Sequence, residues 1–217
     1  MITVEKHLAV MDDGFTINNY IVTDVETGET AVIDPSLSEE KLLEKLNGKN
    51  VKYILLTHGH FDHICGAKMV KDNTGAKIVI HKDDDIMLHD SSTNEFDANC
   101  QGYSFPEVDA DIFTEDGTEL MLGNTKITVM HTPGHSMGSV CYLFKEDLIM
   151  FSGDTLFRLC AGRADLYGGS GRQVLRSLSN LGELEGNYKV YPGHEDDTTL
   201  DYERENNRYM RTRFRRK

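Results

Sequence analysis

The chain has 217 residues, of which 39% are hydrophobic and 27% charged, so it is long and apolar enough to bury a core of its own. Its formal net charge of −13 argues against a nucleic-acid-binding protein, because such proteins present a basic surface to the phosphate backbone. No run approaches the roughly 18 apolar residues of a membrane span, and the N-terminus lacks the basic start of a signal peptide. We therefore expect a cytoplasmic protein with no membrane partner.

Four cysteines are scattered without a CxxC pair, which fits a reducing compartment. The only strongly basic stretch is Arg208–Lys217, with six cations and no acidic residue. We interpret it as the solvated end of a helix, with contact to an anionic surface as the alternative. No linker or internal repeat is evident, so residues 1–217 are predicted to form one domain, with no prediction of its oligomeric state.

Short apolar runs rich in β-branched residues recur along the chain and are bounded by Gly, Asp, Asn or Pro, a pattern typical of strands. The predicted strands span residues 17–22, 30–33, 51–56, 77–80, 126–130, 140–144 and 148–151. Apolar residues at helical spacing predict helices over residues 39–46 (preceded by Ser38), 63–72, 171–184 and 198–211. The elements mix without strict alternation, which favours two sheets packed face to face with helices outside. Residues 90–112 lack periodicity and are either a lid over a site or a surface loop.

The segment THGHFDH, residues 57–63, follows a buried strand and holds three imidazoles and one carboxylate. His58 and His60 are two apart, so extended backbone directs both to one side. Gly59 between them lets the loop bend tightly. Asp62 and His63 are offset toward a neighbouring point. Imidazole and carboxylate are ligands of zinc and iron in catalytic sites, so this segment predicts two adjacent sets of metal ligands.

Three more candidate ligands follow predicted strands at turns. His135 lies in HTPGHS, Asp154 in SGDTLF and His194 in YPGHED. Each turn can aim its side chain at a common edge of the sheets. His131 is separated from His135 by Pro133–Gly134, which excludes a shared helical face, so we interpret it as a structural or supporting residue. The remaining histidines, His7, His81 and His89, are predicted to lie on the surface.

These motifs resemble those of the metallo-β-lactamase superfamily, in particular its glyoxalase II-like (hydroxyacylglutathione hydrolase-like) branch, from about Asn18 to His194. The resemblance implies an α/β (α+β) fold of four αββα layers, in which two mixed sheets pack face to face. It implies that His58, His60 and His135 hold a first metal ion, that Asp62, His63 and His194 hold a second, and that Asp154 bridges them. Asp34 would be a buried group that orients the ligands, although capping of a turn is an equal alternative.

The resemblance also implies a reaction. Two divalent ions, zinc first with iron or manganese as alternatives, would share a hydroxide that attacks the carbonyl of a small acyl thioester such as S-lactoylglutathione. Asp62 could accept a proton during turnover. Arg158, Arg163 and Tyr167, which follow the bridging aspartate, could contact an anionic substrate, although Arg163 could equally hold its loop by ion pairing. Only 23 residues follow His194, fewer than the helical portion that binds glutathione in glyoxalase II, so the thiol carrier stays open.

Other activities on the same fold are alternatives. The stretch GRAD, residues 162–165, resembles persulfide dioxygenases, in which a single iron would use His58, His135 and Asp154. A lactonase would share all seven ligands and differ in its pocket, and a non-catalytic metal-binding module is a third possibility. A nuclease is disfavoured by the acidic charge of the chain.

Overall fold

The strands form two six-stranded sheets that pack face to face. The computed structural model describes residues 1–11, 14–36, 40–100 and 104–210. Helices cover both outer faces, so the fold has the four αββα layers expected from the resemblance. The predicted cap Ser38, the residues of the basic tail from 211 onward and residues 101–103 of the aperiodic stretch lie outside the described residues.

The first sheet contains the N-terminal strands in sequential order. These strands are β1 (Ile2–Val10), β2 (Thr16–Asp24), β3 (Glu29–Ile33), β4 (Asn50–Leu55), β5 (Lys77–His81) and β6 (Ile112–Thr114). Neighbours are antiparallel from β1 to β3 and parallel from β3 to β6. The parallel half brings the carboxyl ends of its strands to one edge of the sheet.

The second sheet contains the later strands. They are β7 (Glu119–Leu122), β8 (Thr125–His131), β9 (Val140–Phe144), β10 (Ile149–Gly153), β13 (Lys189–Pro192) and β14 (Thr198–Thr199), and a separate small hairpin joins β11 (Leu156–Phe157) and β12 (Cys160–Ala161). The spatial order is β14-β13-β10-β9-β8-β7. Because β10 and β13 are parallel, the turns after them emerge side by side.

The core has three layers. Leu55 and Tyr142 belong to the layer between the sheets, whereas Ile54 faces the helices outside the first sheet. Leu178 packs with the outer face of the second sheet. A strand buried on both faces needs apolar residues at nearly every position, which explains the continuous apolar run over residues 53–55 at the end of β4.

Helices occur where the four helical patterns predict them, although not always with the predicted extent. The helices are α1 (Glu40–Leu46), α2 (Phe61–Ile64), α3 (Ala67–Thr74), α4 (Phe96–Asn99), α5 (Gly171–Gly182) and α6 (Leu200–Asn206), together with a 3₁₀ helix over Lys82–Leu88. Two of them, α4 and the 3₁₀ helix, were not predicted. None of the helices in the described part of the chain is long and apolar enough to cross a membrane.

Two helix predictions were wrong in detail. The helix predicted over residues 63–72 is broken at Gly66, whose backbone N–H donates to Pro35 O at 2.9 Å. A Cβ atom at Gly66 would lie 2.0 Å from Ser36 O, so this close approach of two chain segments requires glycine. The pattern over residues 198–211 begins instead with β14, and its helix ends at Asn206.

The predictions also missed β1, β6, β7 and the 3₁₀ helix. The exposed positions of β1 are rich in charge, and β6 and β7 are only three and four residues long, so their apolar signal is weak. The aperiodic stretch of residues 90–112 contains α4 and the start of β6.

Candidate metal centre

Seven side chains from four turns converge at one end of the two sheets. The segment of residues 58–63 follows β4 and enters α2, and the other turns follow β8, β10 and β13. The structure brings together all seven residues that the sequence singled out. They are His58, His60, Asp62, His63, His135, Asp154 and His194.

The first group contains three imidazoles. Ligand atoms of His58, His60 and His135 lie within 4.8 Å of one another. His60 Nδ1 lies 2.8 Å from His135 Nε2. All three side chains are buried, and the Nε2 atoms of His58 and His60 have no hydrogen-bond partner among the described residues. Buried polar nitrogens without a partner are costly, and a cation between them would satisfy them.

The second group contains Asp62, His63 and His194. The Oδ2 atom of Asp62 lies 3.3 Å from the Nε2 atoms of both histidines. Those two Nε2 atoms lie 3.2 Å apart. Three ligand atoms that face one point at these distances suit a second ion.

The carboxylate of Asp154 lies between the two groups. Its Oδ2 atom is 3.5 Å from His135 Nε2 of the first group and 3.5 Å from His194 Nε2 of the second. Its Oδ1 atom is 3.4 Å from His63 Nε2. One carboxylate thus reaches both groups, so the clusters are suited to a dinuclear metal site.

The electrostatics of the two groups differ. Burial lowers the pKa of His60 to about 3 and that of His58 well below its usual range, and neighbouring imidazoles add to both shifts. In the second group burial opposes protonation of His194, but the carboxylates of Asp154 and Asp62 overcome it and raise its pKa to about 10. His63 is likewise buried, and the same carboxylates raise its pKa well above its usual value. His58 and His60 are therefore neutral, whereas His63 and His194 hold protons near neutral pH.

This difference predicts how metal binding depends on pH. Ligand histidines must lose their protons to bind an ion, so binding at the second group should release protons from His63 and His194. Its affinity should rise roughly tenfold per pH unit for each displaced proton between about pH 6 and 9. His58 and His60 have no proton to lose in that range, so they should add no pH dependence to binding at the first group. Calorimetric metal titrations in buffers of different ionisation enthalpy measure the released protons, and equal release at both steps would contradict the assignment.

Hydrogen bonds from the protein orient the imidazoles. His63 Nδ1 lies 3.0 Å from Asp34 Oδ2, and the Asp34 carboxylate also accepts from the N–H and hydroxyl of Thr57. Asp34 itself has a positive φ of 49°, in the left-handed region that residues other than glycine seldom adopt. His135 Nδ1 donates to Arg163 O, and His194 Nδ1 donates to Thr16 O. Each of these contacts fixes a ring so that its other nitrogen faces the site.

Asp84 is a supporting residue that the sequence reasoning missed. Its buried carboxylate accepts from the N–H of Gly59 at 3.0 Å, from the Ser136 hydroxyl at 2.6 Å and from the N–H of Gly138 at 2.6 Å. Gly59 lies between two residues of the first group, and Ser136 follows the third. One carboxylate therefore ties together both turns that carry the first group. The signal was faint, a single aspartate in the acidic run of residues 83–85.

Replacement of Asp84 by asparagine is expected to weaken metal binding at the first group by roughly 10- to 100-fold, the usual effect of removing a group that orients ligands. The amide would present an N–H₂ group where the carboxylate accepts three hydrogen bonds. Stepwise Co²⁺ titration followed by visible absorption measures the affinity. The matched control is Asp109→Asn, whose side chain is 94% exposed. Unchanged binding in both variants would remove Asp84 from the support of the site.

Glycine is required where the turns approach each other. A Cβ atom at Gly193 would lie 2.3 Å from Asp154 Oδ1 and 2.6 Å from His63 Cε1. A Cβ atom at Gly59 would lie 2.5 Å from the Cβ atom of Met87. Both glycines therefore allow close packing around the ligands, in addition to the tight bend predicted at Gly59.

The histidines outside the centre were predicted in part. His89 is exposed as predicted, but His7 and His81 are buried, so their assignment to the surface was wrong. His81 stacks on His131 with ring centroids 4.0 Å apart and 12° between the planes. Ligand atoms of His81, Asp83 and His131 lie within 4.8 Å of one another, but His81 Nδ1 already accepts from the N–H of Asp83 at 3.2 Å. His131 Nε2 donates to Met137 O, which fits the structural role predicted for it.

A cavity of about 1290 Å³ opens at the centre, and His60, Asp62, Asp154 and His194 line part of it. Arg163 also lines the cavity, but its guanidinium donates two hydrogen bonds to Asp165 at 2.7 and 2.8 Å.

The other two residues predicted to contact substrate are placed elsewhere. Arg158 pairs with Asp196 at 3.6 Å and lies over the ring of Tyr202. Neither Arg158 nor Tyr167 is among the described residues that line the cavity, and their contact with substrate stays a prediction.

Comparison with known proteins places these features in a family context. The sequence model of the Metallo-beta-lactamase superfamily matches residues 12–194. The chain is 36% identical over 202 residues to an uncharacterized protein of Mycobacterium leprae (strain TN), covering 89% of this chain and 93% of that protein. It is 34% identical over 198 residues to a hydroxyacylglutathione hydrolase of Rhodospirillum rubrum, covering 90% of this chain and 68% of that protein.

Solved structures show the same architecture. The BLEG-1 B3 metallo-beta-lactamase is 30% identical with a TM-score of 0.87, covering 96% of this chain and 100% of that chain. TTHA1623 in a di-iron-bound form is 30% identical with a TM-score of 0.79, covering 94% of this chain and 99% of that chain.

Proposed function

Because the chain belongs to the metallo-β-lactamase superfamily, we propose that it is a dinuclear metal-dependent hydrolase that cleaves a small acyl thioester. The observation that carries the proposal is the Asp154 carboxylate, which lies 3.4 to 3.5 Å from histidines of both ligand groups. The similarity to a hydroxyacylglutathione hydrolase supports the thioester as substrate.

The ligand atoms fit two divalent cations. His58, His60 and His135 would hold the first, Asp62, His63 and His194 the second, and Asp154 would contact both. When bound, such ions lower the pKa of water to about 7 and polarise a substrate carbonyl. We propose zinc, with iron or manganese as alternatives, because imidazole and carboxylate groups bind all three metal ions. The di-iron form of TTHA1623 is a reason to test iron directly.

The chain's own residues orient the ligand imidazoles and set the protonation state of Asp62. The hydrogen bonds of His63, His135 and His194 fix their rings, so the ligands need little rearrangement during turnover. Burial opposes ionisation of Asp62, but His63 and His194 hold its pKa well below the usual range. Asp62 therefore stays ionised as a ligand, and we assign it a secondary part as a weak proton acceptor. A thiolate leaves readily, so thioester cleavage needs no strong general acid at the site.

The main alternative is the mononuclear iron dioxygenase. The convergence of Asp62, His63 and His194 beside Asp154 favours the hydrolase, since a single-ion enzyme would leave these buried groups without an ion. A lactonase or a β-lactam hydrolase would use the same ligands, and the similarity to BLEG-1 favours inclusion of the latter in any assay.

The test is a substrate panel with protein loaded with zinc, iron or manganese. The panel contains S-lactoylglutathione, simple acyl thioesters, lactones, a β-lactam and glutathione persulfide with an oxygen electrode. We expect thioester hydrolysis without oxygen uptake. If the protein binds one iron per chain and consumes oxygen with the persulfide, it is a dioxygenase and not a hydrolase. If it cleaves lactones or a β-lactam in preference to thioesters, the substrate class proposed here is wrong.

We further propose that residues 1–217 act as one domain in the cytoplasm, with a small molecule rather than nucleic acid or a membrane as partner. The shared apolar layer between the sheets supports a single domain, and the net charge of −13 disfavours nucleic acid. The four cysteines are free, which fits a reducing compartment.

A further inference from the structure

The cavity extends well beyond the ligand groups. On helix α2, Asp62 belongs to the second ligand group, whereas the neighbouring Phe61 lines the part of the cavity beyond the metal centre. That remaining part, which we call the apolar chamber, is formed by side chains from α2, α3, α4 and the adjoining loops. Its apolar residues are Met11, Phe61, Cys65, Met69, Phe96 and Cys100, and the polar Lys68, Asp72, Asn73 and Asn99 of α3 and α4 also line the cavity.

The walls of the apolar chamber form a packed cluster of their own. Phe61, Cys65, Phe96 and Cys100 are buried together, and Met11 packs against them. The rings of Phe61 and Phe96 meet edge to face with centroids 6.4 Å apart. This cluster is separate from the three core layers of the sandwich. The chamber therefore has a defined apolar wall.

Apolar side chains also border the second ligand group. The ring centroid of Phe15 lies 4.7 Å from that of His194, and the centroid of Phe157 lies 6.0 Å from it. Both aromatic residues line the cavity, as does Leu166. A substrate carbonyl at the metal centre would therefore have apolar surface on more than one side.

The cations among the described residues that line the cavity are each paired with a carboxylate. The described lining residues include two cations, Lys68 and Arg163. Lys68 pairs with Asp72 at 3.3 Å, and Arg163 with Asp165 at 2.7 Å. Glu95 and Glu195 add negative charge to the lining. A glutathionyl group carries two carboxylates and one ammonium, so this lining offers its carboxylates little attraction.

We propose that the apolar chamber binds an uncharged, apolar group of the substrate next to the scissile carbonyl, a chain of roughly four to eight carbons or one aromatic ring. This inference rests on the proposed hydrolase function, because it assigns the substrate class of the same site. The group can belong to the acyl part or to the leaving thiol, and glutathione is not the preferred carrier.

Two series of substrates test the proposal with metal-loaded protein. The first varies the acyl group from acetyl to octanoyl on one small neutral thiol. The second keeps the lactoyl group and compares glutathione with neutral alkyl and aryl thiols. We expect kcat/KM to rise roughly threefold per added methylene in the series whose group occupies the chamber. S-lactoylglutathione should be at least about tenfold slower than its best neutral counterpart.

The outcomes distinguish a failure of the inference about the apolar chamber from a failure of the proposed hydrolase function. A rise in the first series assigns the chamber to the acyl group, and a rise in the second assigns it to the thiol. Hydrolysis with no dependence on chain length, or with glutathione preferred, would overturn the inference and leave the hydrolase intact. Failure to cleave any thioester would overturn the proposed function itself, and the inference with it.

A charge placed in the apolar chamber gives an independent check. Met69 is half-buried on α3, where it packs against the apolar layer outside the first sheet, and it touches none of the seven candidate ligands in any contact described above. We expect Met69→Lys to keep its metal, and circular dichroism with metal analysis checks that it folds. We expect kcat/KM for the longest neutral substrate to fall about tenfold, and glutathione thioesters to gain relative to it. The matched control is Met121→Lys, at an exposed methionine outside the cavity. Equal effects of both variants on all substrates would contradict the assignment of the chamber.

Discussion

Replacement of Asp154 by alanine is expected to lower kcat/KM for thioester hydrolysis at least about 1000-fold while the fold is retained. Its carboxylate is within 3.5 Å of His63, His135 and His194, so its loss removes a negative charge that lies between both ligand sets. The metal content of the purified variant should fall below that of the parent protein. Turnover with several substrates and elemental analysis measure the two effects.

The matched control for this variant is Asp109→Ala, an aspartate whose side chain is 94% exposed. It should retain full activity and metal content. Circular dichroism should show the same secondary structure in both variants, because Asp154 lies in a turn beyond β10. Near-normal activity of Asp154→Ala would remove that residue from the catalytic site.

Replacement of His60 by alanine is expected to abolish turnover through loss of the first ion, with kcat/KM lowered at least about 100-fold. The described side-chain contacts of His60 are with the histidines of its own group, and its Nε2 atom has no hydrogen-bond partner in the part of the chain that the structure describes. The variant should therefore keep its fold and still bind an ion at the second group. Metal titration of the variant should show the pH-dependent step alone.

The exposed His89 provides the matched control, since His89→Ala removes an imidazole outside the centre. It should bind two ions and turn over normally. If His60→Ala bound both ions with the affinity of the parent protein, His60 would not be a ligand of the first ion.

The convergence of the seven candidate ligands was predictable from sequence because each of them lies near the end of an apolar run, at a turn. The THGHFDH segment places four candidate ligands within six positions, and local backbone geometry alone limits where they can point. His135, Asp154 and His194 are far apart in the chain, and only their shared strand-end context linked them. The family assignment drawn from these motifs is confirmed, as is the four-layer fold.

What the sequence did not predict depends on contacts between distant segments. The three hydrogen bonds of Asp84 join two turns that are more than 50 residues apart in the chain, with no local pattern to mark them. The break at Gly66 has its cause in the backbone of residues 35–36, and the burial of His7 and His81 depends on neighbouring strands and loops. The apolar chamber likewise combines residues from several elements, and each of them alone resembles ordinary core.

The most direct test of the two-ion site is the number of ions that the purified chain binds. Metal-free protein titrated with Zn²⁺, Fe²⁺ or Mn²⁺ and analysed for bound metal should reach two ions per chain. It should do so in two steps, one of which releases protons from His63 and His194. Hydrolytic activity should follow the second step. Saturation at a single ion, or full activity before a second ion binds, would contradict the dinuclear centre.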